Sequence, residues 1–381
     1  MGVGLKHKRV PWVVLALLLL AFLLRTYQLG VKEVGFDEVA SIFIADKGPL
    51  DLFSYLRGAI REHPPFYYLL LSVWMLLAGR SEFAVRFLSV GVGLVTVATA
   101  YRFARKDIGR TVALLMVLLF ALSPFHIHES RNTRMYGVLA LFSLFSIFVF
   151  ARLLRRDRAR WWGVFWLATG LGLFPHYYML FMLLAQDIFL FLNWRRYRHL
   201  IVRWLMIHLV LIVIVGLWVT LSPGAWATVL SFWQRGTASH IRWNGLMRAL
   251  NGLYLGATAN PDELHLGIAL LLTIAGIGVL QRKKGWLSCD HSNDEWLLGL
   301  LIVLPLSVVL ILPERVTGRY LTTALPPCLL SMSLSLGWLI GRRSQIPLPG
   351  QIVLHVIGIC LLAFTVFTNV YAYPLLYEVP E

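Results

Sequence analysis

Long apolar stretches recur along the whole chain, and this recurrence restricts its fold more than any other feature. Each stretch has about 17 to 25 residues, the length that an α-helix needs to cross the hydrocarbon core of a bilayer. Of the 381 residues, 58% are hydrophobic and only 14% are charged, whereas soluble domains carry about a quarter of charged residues. The sequence therefore predicts an all-α protein that crosses a membrane many times.

Twelve apolar segments are candidates for membrane spans, and eleven of them are predicted to cross. The remaining one, PFYYLLLSVWMLLAG at 65–79, is too short: as a helix it reaches about 22 Å, whereas the core is about 30 Å thick. The predicted spans are roughly 10–29, 83–104, 111–127, 135–154, 161–175, 178–194, 204–221, 265–281, 296–313, 320–341 and 351–371.

The charges of the loops support this assignment of 65–79. If the segment lies on the membrane surface, the basic loops RRDRAR (155–160) and RRYRHLIVR (195–203) fall on the same side as the N-terminal KHKR. Lys and Arg are enriched in cytoplasmic loops, so we predict a cytoplasmic N-terminus and location in the inner membrane. The net charge of +16 then reflects these loops, and no nucleic-acid partner is expected.

A single transmembrane domain is expected over residues 1–381. The first apolar run is too long for the core of a signal peptide, so we expect it to remain as an uncleaved anchor. Two large segments are predicted on the outer side, at about 30–82 and about 222–264. The first of them is expected to carry two surface helices, at about 50–61 and 65–79.

Acidic, basic and aromatic residues gather at the predicted outer ends of the spans. This grouping is independent of the assigned topology, which rests on the basic loops alone. Guanidinium groups bind phosphate through two hydrogen bonds, and a carboxylate can accept the proton of an attacking hydroxyl. Cations can also neutralise a departing phosphate. This set predicts a site for glycosyl transfer from a polyprenyl-phosphate sugar. The candidate residues are Asp37, Glu38, His63, Arg131, Arg134, Tyr136, His176, Tyr177, Arg319 and Tyr320.

Each motif also has a structural interpretation. Asp37 is suited to cap a helix that begins at Glu38. Glu38 cannot share the helix face of Asp37, and it could be a solvated loop acid. His63 could mark only the start of a helix, and the HYY motif at 176–178 could belong to an aromatic belt. Asp187 lies inside a span, where we expect a structural polar contact.

Several motifs together resemble the GT-C glycosyltransferases. FDEVAS at 36–41 and HPPFYYLLLSVWMLLAGRSEFAVRFLSV at 63–90, followed by HYYMLFMLLAQ and GRYLTTALPP, are similar to bacterial relatives of protein O-mannosyltransferases and aminoarabinose transferases. The resemblance covers about residues 10 to 345. It implies a GT-C fold and an active site between the first outer loop and the membrane surface.

The resemblance also implies roles for single residues. It implies a polyprenyl-phosphate sugar donor, inversion at the anomeric carbon, Asp37 as general base and Glu38 as a supporting residue. His63 would lie near the donor phosphate, although aminoarabinose transferases have a lysine there. Arg134 and Arg319 are predicted phosphate contacts on the basis of charge and topology. Many relatives continue into an outer soluble domain, which we expect to be absent because the chain stops at YAYPLLYEVPE.

Two alternatives to this mechanism remain open at this point. No cofactor is expected to be required, but Asp37 and Glu38 could instead hold Mg or Mn as oxygen ligands. A lipid-linked glycan flippase would also bind a polyprenyl-phosphate sugar, although it is expected to carry charged residues at mid-membrane. The expected partners are the lipid-linked donor, membrane lipids, and an acceptor that is a lipid, a glycan or a protein.

Overall fold

The structure is a computed structural model, and all regular elements in the part of the chain that it describes are helical. The predicted all-α class is therefore confirmed. The described residues are 12–31, 33–58, 64–224, 226–227, 250, 252–254, 270, 273–275, 277, 294–311 and 318–341. The helices are α1 (Trp12–Thr26), α2 (Phe36–Asp46), α3 (Gly48–Gly58), α4 (Phe66–Ala78), α5 (Glu82–Asp107), α6 (Arg110–Leu122), α7 (Pro124–Glu129), α8 (Tyr136–Arg155), α9 (Ala159–Leu173), α10 (Met179–Leu192), α11 (Trp194–Leu221), α12 (Asp294–Ile311), a 3₁₀ segment (Gly318–Ala324) and α13 (Leu325–Gly341).

Four of the described helices are long and apolar enough to cross a membrane, which makes this an integral membrane protein. They are α5, α8, α11 and the continuous segment Arg319–Gly341 that joins the 3₁₀ turn to α13. The predicted spans 265–281 and 351–371 lie mostly or entirely outside the described residues, as does most of the segment 222–264. The total of eleven spans therefore remains a prediction.

Helix α8 lies at the centre of the described helices and positions the others. Nearly all of its side chains are buried, and it packs against α5, α9 and α13. Helix α11 lies at the periphery, where Leu205, Met206 and Leu209 are exposed. Apolar side chains on an outer face are what a lipid environment requires.

The predicted span 111–127 is divided into α6 and the short helix α7. The break falls at Ser123, because a proline follows it at position 124. Proline has no backbone N–H and disfavours helical geometry in the residue before it. The Ser123 hydroxyl accepts a hydrogen bond from the His126 amide at 3.2 Å and so caps α7. The bend directs α7 and the following loop, 130–135, towards α2.

The segment after α1 folds back on itself through three short helices. The predicted surface helices at about 50–61 and 65–79 correspond to α3 and α4, and a further helix, α2, precedes them. Helix α2 packs against both α3 and α4, and α4 packs against α5. This packing holds the first turn of α2 against the loop between α7 and α8, where the candidate site lies.

Candidate active site

A cavity of about 420 Å³ opens beside the first turn of α2. Its wall is formed by the segment after α1, the start of α2, the end of α7 with the loop that follows it, and single residues of α5, α8 and the 3₁₀ segment. Both acids and arginines line it, so opposite charges lie within one small volume. The charged lining residues are Glu33, Asp37, Glu38, Glu129, Arg86, Arg131, Arg134 and Arg319.

Glu38 is buried and both of its carboxylate oxygens are engaged. Arg86 donates from Nε to Oε1 at 3.1 Å and from Nη2 to Oε2 at 2.8 Å. The backbone amides of Thr133 and Gly35 also donate, at 2.8 and 3.2 Å. The Glu38 carboxylate thus joins the start of α2 to α5 and to the loop after α7. A solvated loop acid, the structural alternative for this residue, is wrong.

The environment of Glu38 also fixes its charge. Burial by itself raises the pKa of this carboxyl group. The hydrogen bonds and positive charge of Arg86, together with the two amides, outweigh burial and lower the pKa below its ordinary value of 4.5. Glu38 is therefore ionised at neutral pH, and both of its carboxylate oxygens accept hydrogen bonds from Arg86.

Asp37 does not cap α2, because the helix begins one residue earlier, at Phe36, with Gly35 as the N-cap. The capping interaction belongs to Glu38, whose carboxylate accepts the Gly35 amide as in a capping box. The side chain of Asp37 points into the cavity instead and forms an ion pair with Arg319. The prediction that two adjacent acids on a helix face different ways is confirmed.

Arg134 and Arg131 stabilise the walls of the cavity. Arg134 donates from Nη1 to the backbone carbonyl of Asp37 at 3.0 Å and to the Ser41 hydroxyl at 3.2 Å. Arg131 is buried, and its guanidinium lies 3.4 and 3.5 Å from the carbonyls of Leu24 and Gln28 at the end of α1. Both side chains line the cavity, but their hydrogen bonds hold α1 and α2 in place.

An aromatic cluster adjoins the cavity through Tyr136, the first residue of α8. The ring of His176 lies 5.6 Å from that of Tyr136 and stacks on Tyr178 with the ring centroids 4.3 Å apart. Tyr320 meets Tyr178 edge to face at 5.1 Å. The cluster thus connects α8 and the start of α10 with the 3₁₀ segment that carries Arg319.

Two predicted site residues are not placed with the others. Tyr177 forms a side-chain hydrogen bond with Trp218 of α11. Its hydroxyl therefore points towards α11, a helix that contributes no ring to the aromatic cluster described above. His63 lies outside the described residues, together with the rest of 59–63. Its role near a donor phosphate remains a prediction.

Sequence reasoning overlooked the partners of Glu38. Arg86 lies inside a predicted span, four residues after Glu82, and an ionisable side chain within an apolar span generally has a buried partner or a function. That signal was available in the sequence. The amide of Thr133 was not predictable, because any residue except proline offers the same donor and only the loop conformation directs it.

Asp187 makes the structural contacts that were expected of it. Its Oδ1 accepts a hydrogen bond from the indole of Trp204 at 2.7 Å and lies 3.1 Å from Nε2 of His208. These contacts join α10 to α11, away from the residues that line the cavity.

A divalent cation between Asp37 and Glu38 does not fit the observed donor set. Both oxygens of Glu38 already accept two hydrogen bonds each, and Asp37 faces a guanidinium group. Within the described ranges, no three His, Cys, Asp or Glu side chains form a group that could hold a metal ion. Since Mg²⁺ is usually held by only one or two carboxylates with waters and substrate phosphates, the complete hydrogen bonding of Glu38 is what disfavours an ion shared by both acids.

The fold and the cavity define a polytopic helical membrane protein with a charged site beside its first loop. The sequence model of a family described as dolichyl-phosphate-mannose-protein mannosyltransferase matches residues 62–219, which is less than half of the chain. No curated protein sequence matches the chain significantly.

Solved structures of GT-C membrane enzymes share the fold. ArnT from Cupriavidus metallidurans bound to undecaprenyl phosphate is 17% identical with a TM-score of 0.64, and the match covers 87% of this chain and 63% of ArnT. Two structures of the oligosaccharyltransferase AglB from Archaeoglobus fulgidus also match. The complex with an inhibitory peptide and a dolichol-phosphate is 13% identical, covering 97% and 56%, with a TM-score of 0.59. The complex with Zn and sulfate is 16% identical, covering 97% and 54%, with a TM-score of 0.60.

The chain therefore has the GT-C fold that the sequence predicted, and the resemblance on which that prediction rested is confirmed. It spans less than two thirds of the length of each of these three enzymes.

Proposed function

We propose that this protein is an inverting glycosyltransferase that moves a sugar from a polyprenyl-phosphate donor to a hydroxyl acceptor. The observation that carries the proposal is the cavity at the start of α2, which is lined by Asp37 and by Arg319 of the 3₁₀ segment, two side chains that form an ion pair. A carboxylate suits the removal of a proton, and a guanidinium suits the binding of phosphate. The match to a family described by a lipid-phosphate sugar, and the lipid phosphates in related folds, support the same reaction.

In the proposed reaction Asp37 is the general base. Its carboxylate accepts the proton of the acceptor hydroxyl, and the hydroxyl oxygen attacks the anomeric carbon from the side opposite the phosphate. The bond from that carbon to the acceptor oxygen forms while the bond to the phosphate oxygen breaks. The polyprenyl phosphate leaves with the electron pair, and Arg319 neutralises its charge. One displacement inverts the configuration.

Glu38 acts through its position rather than on the substrate. The hydrogen bonds that it accepts from Arg86, Thr133 and Gly35 fix the first turn of α2, and the preceding side chain, Asp37, is thereby aimed into the cavity. Geometry fixed by a rigid surrounding is a large part of enzymatic rate enhancement. We therefore propose Glu38 as a positioning residue.

The proposed site faces the outer side of the inner membrane, with the N-terminus in the cytoplasm. This orientation rests on the basic loops. A lipid-linked donor would keep its chain in the bilayer while its phosphate reaches the first outer loop. A third structure of the Archaeoglobus fulgidus oligosaccharyltransferase carries a tethered acceptor peptide, which supports a protein acceptor beside the lipid and glycan acceptors that the sequence leaves open.

The test is sugar transfer by the purified protein in proteoliposomes, with radiolabelled polyprenyl-phosphate mannose and aminoarabinose as donors and a membrane extract as the source of acceptor. Asp37→Asn should lower the rate by about 10²- to 10⁴-fold. Asp46→Asn is the matched control, because Asp46 lies on the same helix as Asp37 and forms an exposed ion pair with Arg80, outside that helix. Turnover near wild type in Asp37→Asn would remove Asp37 as the base.

The same proteoliposomes distinguish a transferase from a flippase. Transfer produces free polyprenyl phosphate and a labelled acceptor in equal amounts. Movement of the labelled donor across the bilayer without either product would favour a flippase. Within the described part of the chain, the feature that favours a transferase over a flippase is the cavity beside the first loop, where an acid suited to be a base lies next to an arginine suited to bind phosphate.

A further inference from the structure

The four arginines of the cavity are not equivalent. Arg86 and Arg131 are buried, and Arg134 holds the Asp37 carbonyl and Ser41. Their hydrogen bonds include those to backbone carbonyls, to the hydroxyls of Ser41 and Tyr136 and to the buried Glu38. Arg319 is different, since its side chain is 35% exposed and its partner, Asp37, is 46% exposed. A ligand could displace that partner without disturbing a helix contact.

Arg319 also lies where a phosphate group would compete with Asp37. One guanidinium group binds a carboxylate or a phosphate through the same fork of N–H donors, and the phosphodiester of a lipid-linked sugar offers one negative charge and two free oxygens, as a carboxylate does. Both Asp37 and Arg319 line the cavity. An ion pair of this exposure contributes little to stability because water and salt screen it, so the exchange of partners costs little.

We propose that Arg319 holds the Asp37 carboxylate in the substrate-free protein and releases it when the phosphate of a polyprenyl-phosphate ligand takes the guanidinium group. This inference rests on the proposed function, because it gives Asp37 the role of base. Arg319 would then set the order of binding: Asp37 becomes available to an acceptor hydroxyl only after the donor phosphate has bound. Without donor, the carboxylate stays paired with Arg319.

The exchange predicts that Asp37 and the lipid phosphate compete for one group, and competition is measurable as thermodynamic coupling. The probe is radiolabelled undecaprenyl phosphate, bound to the full-length protein in nanodiscs. Asp37→Asn removes the competitor and should tighten binding by about two- to fivefold. Arg319→Gln removes the shared group and should weaken binding at least about tenfold. The conservative Arg319→Lys, which lacks the fork, should give an intermediate loss.

The double variant Asp37→Asn/Arg319→Gln decides the question. If Asp37 acts through Arg319, adding Asp37→Asn to Arg319→Gln changes the affinity by less than about twofold. If Asp37 merely repels the phosphate as a nearby negative charge, the tightening persists in the double variant, and the proposal is overturned. Asp37→Asn that weakens binding, or leaves it unchanged, also overturns it. Asp46→Asn should have no effect, because its partner Arg80 does not line the cavity.

Failure of this inference is separable from failure of the proposed function. The binding measurement involves no sugar transfer, so coupling can be present or absent whatever the rate of transfer. If the wild-type protein does not bind undecaprenyl phosphate at all, the donor class of the proposed function is wrong and the exchange falls with it. If the wild-type protein binds but the two substitutions are independent, only the exchange is overturned.

Discussion

Two ion pairs begin on neighbouring residues of the same helix turn, and they differ in nearly every physical respect. The Glu38–Arg86 pair has side chains that are 8% and 4% exposed, with hydrogen bonds from two backbone amides and to two backbone carbonyls. The Asp37–Arg319 pair is 46% and 35% exposed and lies at the mouth of a cavity. The buried pair suits the maintenance of a fixed geometry, whereas the exposed pair suits exchange with a ligand.

This contrast explains how adjacent acids can serve different purposes. A buried charge is tolerated only when its hydrogen bonds are complete, and Glu38 meets that condition. An exposed pair contributes little to stability because water and salt screen it, so its loss is inexpensive. Three stability measurements test this contrast, in addition to the transfer and binding experiments described above.

The largest expected effect on stability comes from breaking the buried pair. Glu38→Ala removes the close partner of the buried Arg86 and leaves it only the more distant Glu82 at 3.9 Å, so it should cost about 3 to 5 kcal/mol of unfolding free energy. Asp37→Ala, one residue away, should cost less than about 1 kcal/mol. Thermal unfolding of the purified variants in the same detergent measures both. Equal losses for the two alanine variants would refute the distinction between the pairs.

A smaller loss of unfolding free energy is expected when a substitution displaces the loop between α7 and α8, whose Thr133 amide binds Glu38. The Cβ of an alanine at position 93 of α5 would lie 2.7 Å from the Ser130 Cβ, and Ser130 belongs to the loop that supplies the Thr133 amide. Gly93→Ala should destabilise the protein by about 1 to 3 kcal/mol through overpacking. Gly91→Ala is the matched control, because its Cβ meets nothing within 4 Å and alanine favours a helix.

Sugar transfer sharpens the interpretation of the Gly93 variant. If the loop positions Glu38 and hence Asp37, transfer by Gly93→Ala should fall even at temperatures where the protein remains folded, whereas Gly91→Ala should keep the wild-type rate. Full activity in folded Gly93→Ala would mean that the loop does not set the geometry of Asp37.

The smallest expected effect is the loss of stability in acid that Glu38 contributes. Its pKa in the folded protein is below the ordinary 4.5, so its contribution is complete above that value and is lost as the pH falls through the folded pKa. Thermal unfolding from about pH 7 to about pH 3 should show this loss in the wild type. Glu38→Gln, which cannot titrate, should show a flatter dependence. Parallel curves for the two proteins would argue against a depressed pKa at Glu38.

Much of the candidate site was predictable from the sequence, because charged residues at span ends stand out against apolar helices. The cavity contains six of the ten predicted residues: Asp37, Glu38, Arg131, Arg134, Tyr136 and Arg319. His176 and Tyr320 adjoin it through Tyr136. What the sequence could not show is that the guanidinium of Arg134 also holds α2; its contact with a donor phosphate stays a prediction.

The sequence by itself determined the all-helical class, the position of most described helices and the gathering of polar residues near their ends. The physical reason is that a bilayer requires long apolar helices and excludes charges from their middles. Only the tertiary structure decided which arginine meets which acid. Arg86 lies 48 residues from Glu38 and Arg319 lies 282 residues from Asp37. Adjacent side chains on a helix point about 100° apart, so packing alone gave one acid a buried partner and turned the other towards the cavity.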